Sequence, residues 1–257
     1  MIGRRPASLV TRFSVRQNTL MIDLGRPMTV LSSAPRGGGL VRAQYILNHQ
    51  VRPRPSLPLE PDCKRESGDP GRFLGRLATD LGIEGPCVAL MTAVSLKDLV
   101  VLREESTGLW VEGFFTVGVS NAVRAGEPNG AATIENAAST PGTINMVLIT
   151  NARLSMPAMV GAVQVATESK AATLLAESVP TWTGGLGATG TGTDAIVIVN
   201  GEGPARRYSG THTTMGELIG RVVARGVLSG LLRYRQWLLR PGRRSTRSPG
   251  RRLDKEM

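Results

Sequence analysis

Apolar and polar positions alternate unevenly along this chain, and the changes of period divide it into elements. "PMTVLSSA" reads as a short strand running into the glycine-rich turn "PRGGGL". "LVRAQYILNHQV" roughly alternates and predicts a second strand. The proline-rich stretch "RPRPSLPLEPDCKRESGDPG" is a loop. Asp69 before Pro70 is then a cap and first-turn pair for a helix through "GRFLGRLATDLGI". "CVALMTAV" and "LWVEGFFTVGVSN" predict strands, the latter ending at Asn121. After a polar loop, "TINMVLITN" is the continuous apolar run of a buried strand.

The period then lengthens. In "MPAMVGAVQVATESKAATLLAES", Met159, Ala162, Val163, Ala166, Leu174 and Leu175 recur at helical spacing, and Pro157 suits a first turn. "DAIVIVN" returns to strand. "TTMGELIGRVVARGVLSGLL" predicts a closing helix with Met215, Leu218, Ile219, Val222 and Val223 on one stripe. Without internal repeats, this order fits one α/β or α+β domain, a mixed sheet with helices packed on it. Strand pairing does not follow from it. The expected division is a basic leader over 1–23, a domain over 24–232 and a flexible Arg-rich tail over 233–257.

Composition changes the picture at one point. The 257 residues are 41% hydrophobic but only 4% aromatic, so the core is built from aliphatic side chains. The net charge of +11 and pI near 10.9 alone suggest nucleic acid or an acidic membrane surface. Much of the excess lies in "MIGRRPASLVTRFSVR" and "RYRQWLLRPGRRSTRSPGRRLDKEM", where it reads as solvated termini. No stacking aromatics or nucleic-acid motif accompany it, so nucleic acid is not an expected partner. Cys63 and Cys87 form no disulfide framework. No run approaches a membrane span or a signal-peptide core, and the default location is the cytoplasm.

"GATGTGTDAIVIVNG" looks at first like a phosphate cradle. In such cradles the glycines follow a strand and open a helix; here they precede a strand, and no GKS or GKT follows. A loop that delivers Asp194 to the start of a core strand fits better. There the carboxylate is a candidate general base, or it bonds the loop's own N–H groups. His49 reads as structural. His212 precedes the last helix, where the dipole disfavours added positive charge, and is a candidate proton acceptor. Thr214 and Glu217 fit a T-x-x-E capping box. Two histidines and two scattered cysteines are too few for a His-rich zinc hydrolase, and no carboxylate cluster announces another metal.

Six stretches, "VLSSAPRGGGL", "VGVSNAVRAG", "PGTINMVLITNARLS", "ATESKAATLLAE", "GTGTDAIVI" and "YSGTHTTMGELIG", together resemble the adenosylcobinamide amidohydrolases of corrinoid salvage. They occur in that family's order from Val30 to Val223. The resemblance implies hydrolysis of the amide between the corrin side chain and the aminopropanol arm of adenosylcobinamide. The products would be adenosylcobyric acid and 1-aminopropan-2-ol or its phosphate. Cobalt would arrive with the corrinoid substrate, and no cofactor would be bound as catalyst. Non-catalytic corrinoid binding is the alternative, and basic nucleic-acid binding a more distant one.

For that chemistry Asp194 or His212 is the candidate base, and the backbone around Gly190, Thr191, Gly192 and Thr193 a candidate oxyanion site. Glu168 and Lys170, charges in a mainly apolar helix, are further catalytic candidates; two residues apart they point about 200° from each other, so either one faces the site and the other solvent, or both lie near the helix margin. Asn121 and Asn145, with Thr143, are candidate substrate-binding residues, although strand-end asparagines also fix turns. Gly142–Thr143 is a formal candidate for self-cleavage that frees a threonine amine as internal base.

Overall fold

The structure is a computed structural model that describes residues 10–51, 69–128, 142–185 and 187–239. Its frame is an eight-stranded mixed sheet. In chain order the sheet takes β1 (Arg12–Arg16), β2 (Thr19–Ser32), β3 (Gly39–Gln50), β4 (Cys87–Thr92), β5 (Val100–Ser106) and β6 (Leu109–Val117). It is completed by β8 (Ile144–Thr150) and β11 (Ala195–Val199). The spatial order is β4-β3-β2-β11-β8-β6-β5, with β1 also paired to β2. The β3–β4 and β8–β11 pairs are parallel and the others antiparallel. Two short ribbons complete the strands: β7 (Ala122–Val123) with β10 (Gly190–Thr191), and β9 (Arg153–Leu154) with β12 (Ala205–Arg206).

β2 is the hinge of the sheet. Its first half pairs with β1 and its last three residues with β11, while β3 runs along its other edge. The register shifts between Asp23 and Met28, an irregularity that bends a strand. The β1–β4 half therefore folds over the β5–β6–β8–β11 half. Leu20, Ile22, Ile46, Val88 and Leu90 share one core cluster with Phe114, Val147 and Val197, and Phe13 meets Phe114 edge-on. The first turn is formed by Gln17 and Asn18, both at positive φ, the hairpin geometry that matches strand twist.

Helices cover the two outer faces. α1 (Pro70–Asp80) lays Leu74 and Ala78 on Leu47 and Ala89. Asp69 caps it through Gly71 N at 2.8 Å, with Pro70 in the first turn, as the sequence predicts. α2 (Met156–Ala176) and α3 (Thr214–Leu238) pack Met159, Ala162, Met215, Leu218 and Val222 on Phe115, Met146 and Ile196. The single mixed-sheet domain with packed helices is as expected.

Several boundaries differ. Residues 12–23, read as a leader, are β1 and the first half of β2. β1 is only five residues long, with an arginine at each end and Phe13 and Val15 both exposed, so its local pattern is weak. β5 is absent from the sequence reading because three of the seven residues of "VVLREES" are charged; it is an edge strand, where charge is tolerated. α3 runs through Arg233 into the expected tail, because Arg233 donates to Leu99 O (2.5 Å) and Arg235 pairs with Glu177 (2.7 Å). The tail beyond residue 239 and Cys63 lie outside the described residues. Among the described residues no helix is long and apolar enough to cross a membrane.

Candidate active site

β8 and β11 start together. Ala195 is in register with Asn145, so Thr193 and Asp194 lie beside Thr143 and Ile144. The β7–β10 ribbon pairs Thr191 with Ala122, which brings Asn121 to the same end of the sheet. α2 leaves the far end of β8 and runs back, returning Lys170 to this end. Ala166, Lys170 and Leu174 form one buried stripe at four-residue spacing, whereas Glu168 is exposed. The opposition of Glu168 and Lys170 thus resolves with lysine inside. The helical stripe is otherwise as predicted except for Leu175, which is 43% exposed.

Asp194 is held by four donors. Lys170 Nζ lies 2.5 Å from Oδ2, which also accepts from Thr191 N at 3.1 Å. Oδ1 accepts from Thr191 Oγ1 at 2.5 Å and from Ile144 N at 2.9 Å. This is the loop-bonding arrangement, extended by a lysine. It explains why residue 190 has no side chain: a Cβ there would stand 2.6 Å from Asp194 Oδ2 and 2.9 Å from Lys170 Nζ.

The same loop grips the start of β8. Thr143 Oγ1 donates to Thr193 O at 2.8 Å, and Thr193 Oγ1 donates to Gly142 O at 3.1 Å. Inward from Thr143, Asn145 Nδ2 donates to Met91 O (2.7 Å) and Asn48 Oδ1 (3.0 Å), and Asn48 Nδ2 to Thr116 Oγ1 (3.1 Å). A polar line thus enters the space between the two halves of the sheet. Asn121 Oδ1 is buried and, among the described residues, has no hydrogen-bond partner. Trp182, 42% exposed, borders the ribbon, with its backbone N–H donating to Ala122 O at 2.7 Å.

Not every predicted residue comes to this end. His212 is exposed just before α3, and α3 starts at the opposite end of β8, where Thr150 Oγ1 is 3.7 Å from Met215 Sδ. The seven residues of β8 separate His212 from Asp194 by on the order of 20 Å. The two candidate bases therefore do not share a site. The expected oxyanion amides are also partly committed: Thr191 N to Asp194, and Thr193 N to Thr191 Oγ1 at 3.4 Å. Gly192 is exposed. The Thr214–Glu217 capping box does not form. Thr213 caps α3 through Gly216 N (3.0 Å), and Glu217 pairs with Arg221 (2.7 Å).

Sequence reasoning missed Asn48, Thr116 and Trp182. The first two had a signal, polar residues at inward positions of apolar strands, but their partners are on other strands. Ser33 also belongs here: its N–H and Oγ both pair with Ile196 backbone at 3.0 Å. A separate hollow of about 450 Å³ at the other end of β11 is lined by Arg42, Arg153, Asn200 and Glu202 among others. No predicted site residue lines it. Among the described residues no three His, Cys, Asp or Glu side chains gather as a metal cluster.

Five of the six resemblance stretches meet at the Asp194 end; only "YSGTHTTMGELIG" is opposite. Residues 6–238 match the family described as adenosylcobinamide amidohydrolase. The chain belongs to the adenosylcobinamide amidohydrolase family. One relative, named adenosylcobinamide amidohydrolase, from Methanosarcina mazei, is 31% identical over 86% of this chain and 97% of its own length. An uncharacterised protein of Methanocaldococcus jannaschii is 32% identical over 84% of this chain and 86% of its own. A crystal structure of the PH0078 protein from Pyrococcus horikoshii OT3 aligns over 89% of this chain and 81% of its own, at 13% identity and a TM-score of 0.38. The adenosylcobinamide amidohydrolase membership thus rests on sequence likeness along nearly the whole domain.

Proposed function

We propose that this protein hydrolyses adenosylcobinamide at the amide joining the corrin side chain to the aminopropanol arm. Adenosylcobyric acid and 1-aminopropan-2-ol, or its phosphate, are the products. What carries the reading beyond family membership is the buried Lys170–Asp194 pair set against Thr143 and Thr193.

Amide hydrolysis needs a nucleophile, donors for the developing oxyanion and a proton for the leaving amine. In this reading the Thr193 hydroxyl is the direct oxyanion donor, and the Lys170 ammonium adds positive charge nearby. Asp194 keeps Lys170 and the Thr191 turn in place without itself acting as base, because its oxygens already accept four hydrogen bonds. Asn121 Oδ1, without a partner among the described residues, accepts an N–H of the substrate, since a buried acceptor left unpaired costs about 1–3 kcal/mol. Trp182 offers an exposed apolar surface to the corrin ring. The cobalt is part of the substrate.

The test is to incubate the purified protein with adenosylcobinamide, with and without chelator, and separate the corrinoids by chromatography. Adenosylcobyric acid in both incubations is the expected result. Tight corrinoid binding without product would replace hydrolysis by a non-catalytic corrinoid-binding role. Neither binding nor product would end the corrinoid reading for this chain.

A further inference from the structure

We infer that the chain cuts its own Gly142–Thr143 peptide bond and that Thr143, with its freed α-amine, is the nucleophile of the mature protein. The inference rests on reading this site as an amide-cleaving centre, and it names the group that attacks.

The geometry around this one bond is specific. Thr193 holds both reacting groups: its carbonyl accepts from Thr143 Oγ1 at 2.8 Å, and its hydroxyl donates to the Gly142 carbonyl at 3.1 Å. The hydroxyl is thereby oriented and the carbonyl carbon to be attacked is polarised. Polar atoms crowd the acyl side. A Cβ on Gly142 would lie 2.6 Å from Asn121 Oδ1, 2.7 Å from Ser120 N and 2.8 Å from Ser120 Oγ. The Asn121 oxygen in that group is buried and, among the described residues, has no hydrogen-bond partner; cleavage would set the freed Thr143 amine beside it, and the substrate N–H it accepts would then lie next to the nucleophile. On the other side Ile144 N is tied to Asp194 and Thr143 O accepts from Gly118 N at 2.9 Å. The C-terminal side of the bond is thus fixed, while the Gly142 carbonyl is presented to the Thr193 hydroxyl.

The chemistry balances with water alone. Thr143 Oγ adds to the Gly142 carbonyl carbon through a five-membered ring. The C–N bond breaks and the hydroxyl proton passes to the departing Thr143 nitrogen, leaving an ester. Water hydrolyses the ester to a Gly142 carboxylate and a free Thr143 hydroxyl. In turnover the Thr143 amine takes the hydroxyl proton while Oγ attacks the substrate amide. The aminopropanol arm leaves with that proton, and water releases the corrin carboxylate from the acyl-threonine.

Intact-mass spectrometry and N-terminal sequencing of the purified full chain decide the matter. The expected result is two fragments of about 15 and 12 kDa in place of 27.3 kDa, the second starting Thr-Ile-Asn. Thr143→Ala should stay intact and Thr143→Ser should still cleave. Thr193→Val should slow cleavage about 10²-fold, the loss of one oxyanion donor. A wild-type chain that remains whole, whether or not it hydrolyses adenosylcobinamide, overturns the inference. A chain that cleaves at this bond but leaves adenosylcobinamide untouched supports the inference and refutes the proposed substrate.

Discussion

Lys170 Nζ and Asp194 Oδ2 meet at 2.5 Å, joining α2 to the loop before β11, with side chains only 10% and 14% exposed. Neither residue belongs in its local surroundings: the lysine lies on the apolar stripe of a helix, the aspartate opens an apolar strand. Each makes the other tolerable, because an unpaired buried charge is far more costly than a paired one.

Removing one partner therefore tests the pair. Asp194→Asn should cost about 3 kcal/mol in urea unfolding and abolish release of adenosylcobyric acid. Lys170→Met should cost a similar amount. The double variant should lose clearly less than the two single losses added together, since it leaves no stranded charge. Additive losses would mean the two residues do not interact in solution.

His212 provides the contrast. Because it is exposed and at the other end of β8, His212→Ala should leave stability within about 0.5 kcal/mol. The rate of corrinoid cleavage should change less than about twofold, under 0.5 kcal/mol in activation free energy. A hundredfold loss measured in the same assay would show that both ends of the sheet serve one reaction.

At residue 190 a single methyl group is expected to matter. The Cβ of Gly190→Ala would fall 2.6 Å from Asp194 Oδ2 and 2.9 Å from Lys170 Nζ, so the pair must separate. Overpacking of this kind costs about 1–3 kcal/mol, which thermal unfolding would register as a lowered Tm. Turnover should fall with it, whereas the exposed, unencumbered Gly192 should accept alanine without either change.

The start of α3 can be checked independently of any substrate. Thr213→Ala removes the cap on Gly216 N and should cost about 1 kcal/mol. Thr214→Ala should be nearly neutral. The reverse order would restore the capping box that the T-x-x-E spelling suggests.

Local chemistry was legible wherever the deciding interaction spans a few residues. The Asp69–Pro70 helix start, the buried run of β8 and the α3 stripe each rest on neighbours in sequence, and each lies where its pattern placed it. The glycine–threonine loop was likewise readable as a device for delivering Asp194, since glycines ahead of a strand cannot offer helix N–H groups to a phosphate. β1 is short and flanked by arginines, and β5 carries three charges in seven residues, so neither shows a clear apolar alternation.

By itself, then, the sequence determined one mixed-sheet domain, its main helices and buried strands, and the stretches by which it resembles its family. Only the tertiary structure decided which of those stretches meet. Asn48 finds Asn145 across 97 residues, and Thr143 finds Thr193 across 50. Such pairings depend on strand order and on the fold of β2, and a hydrophobic period carries no record of either. The separation of His212 from Asp194 has the same origin: both stand at the end of an element, and only the direction of β8 places those ends apart.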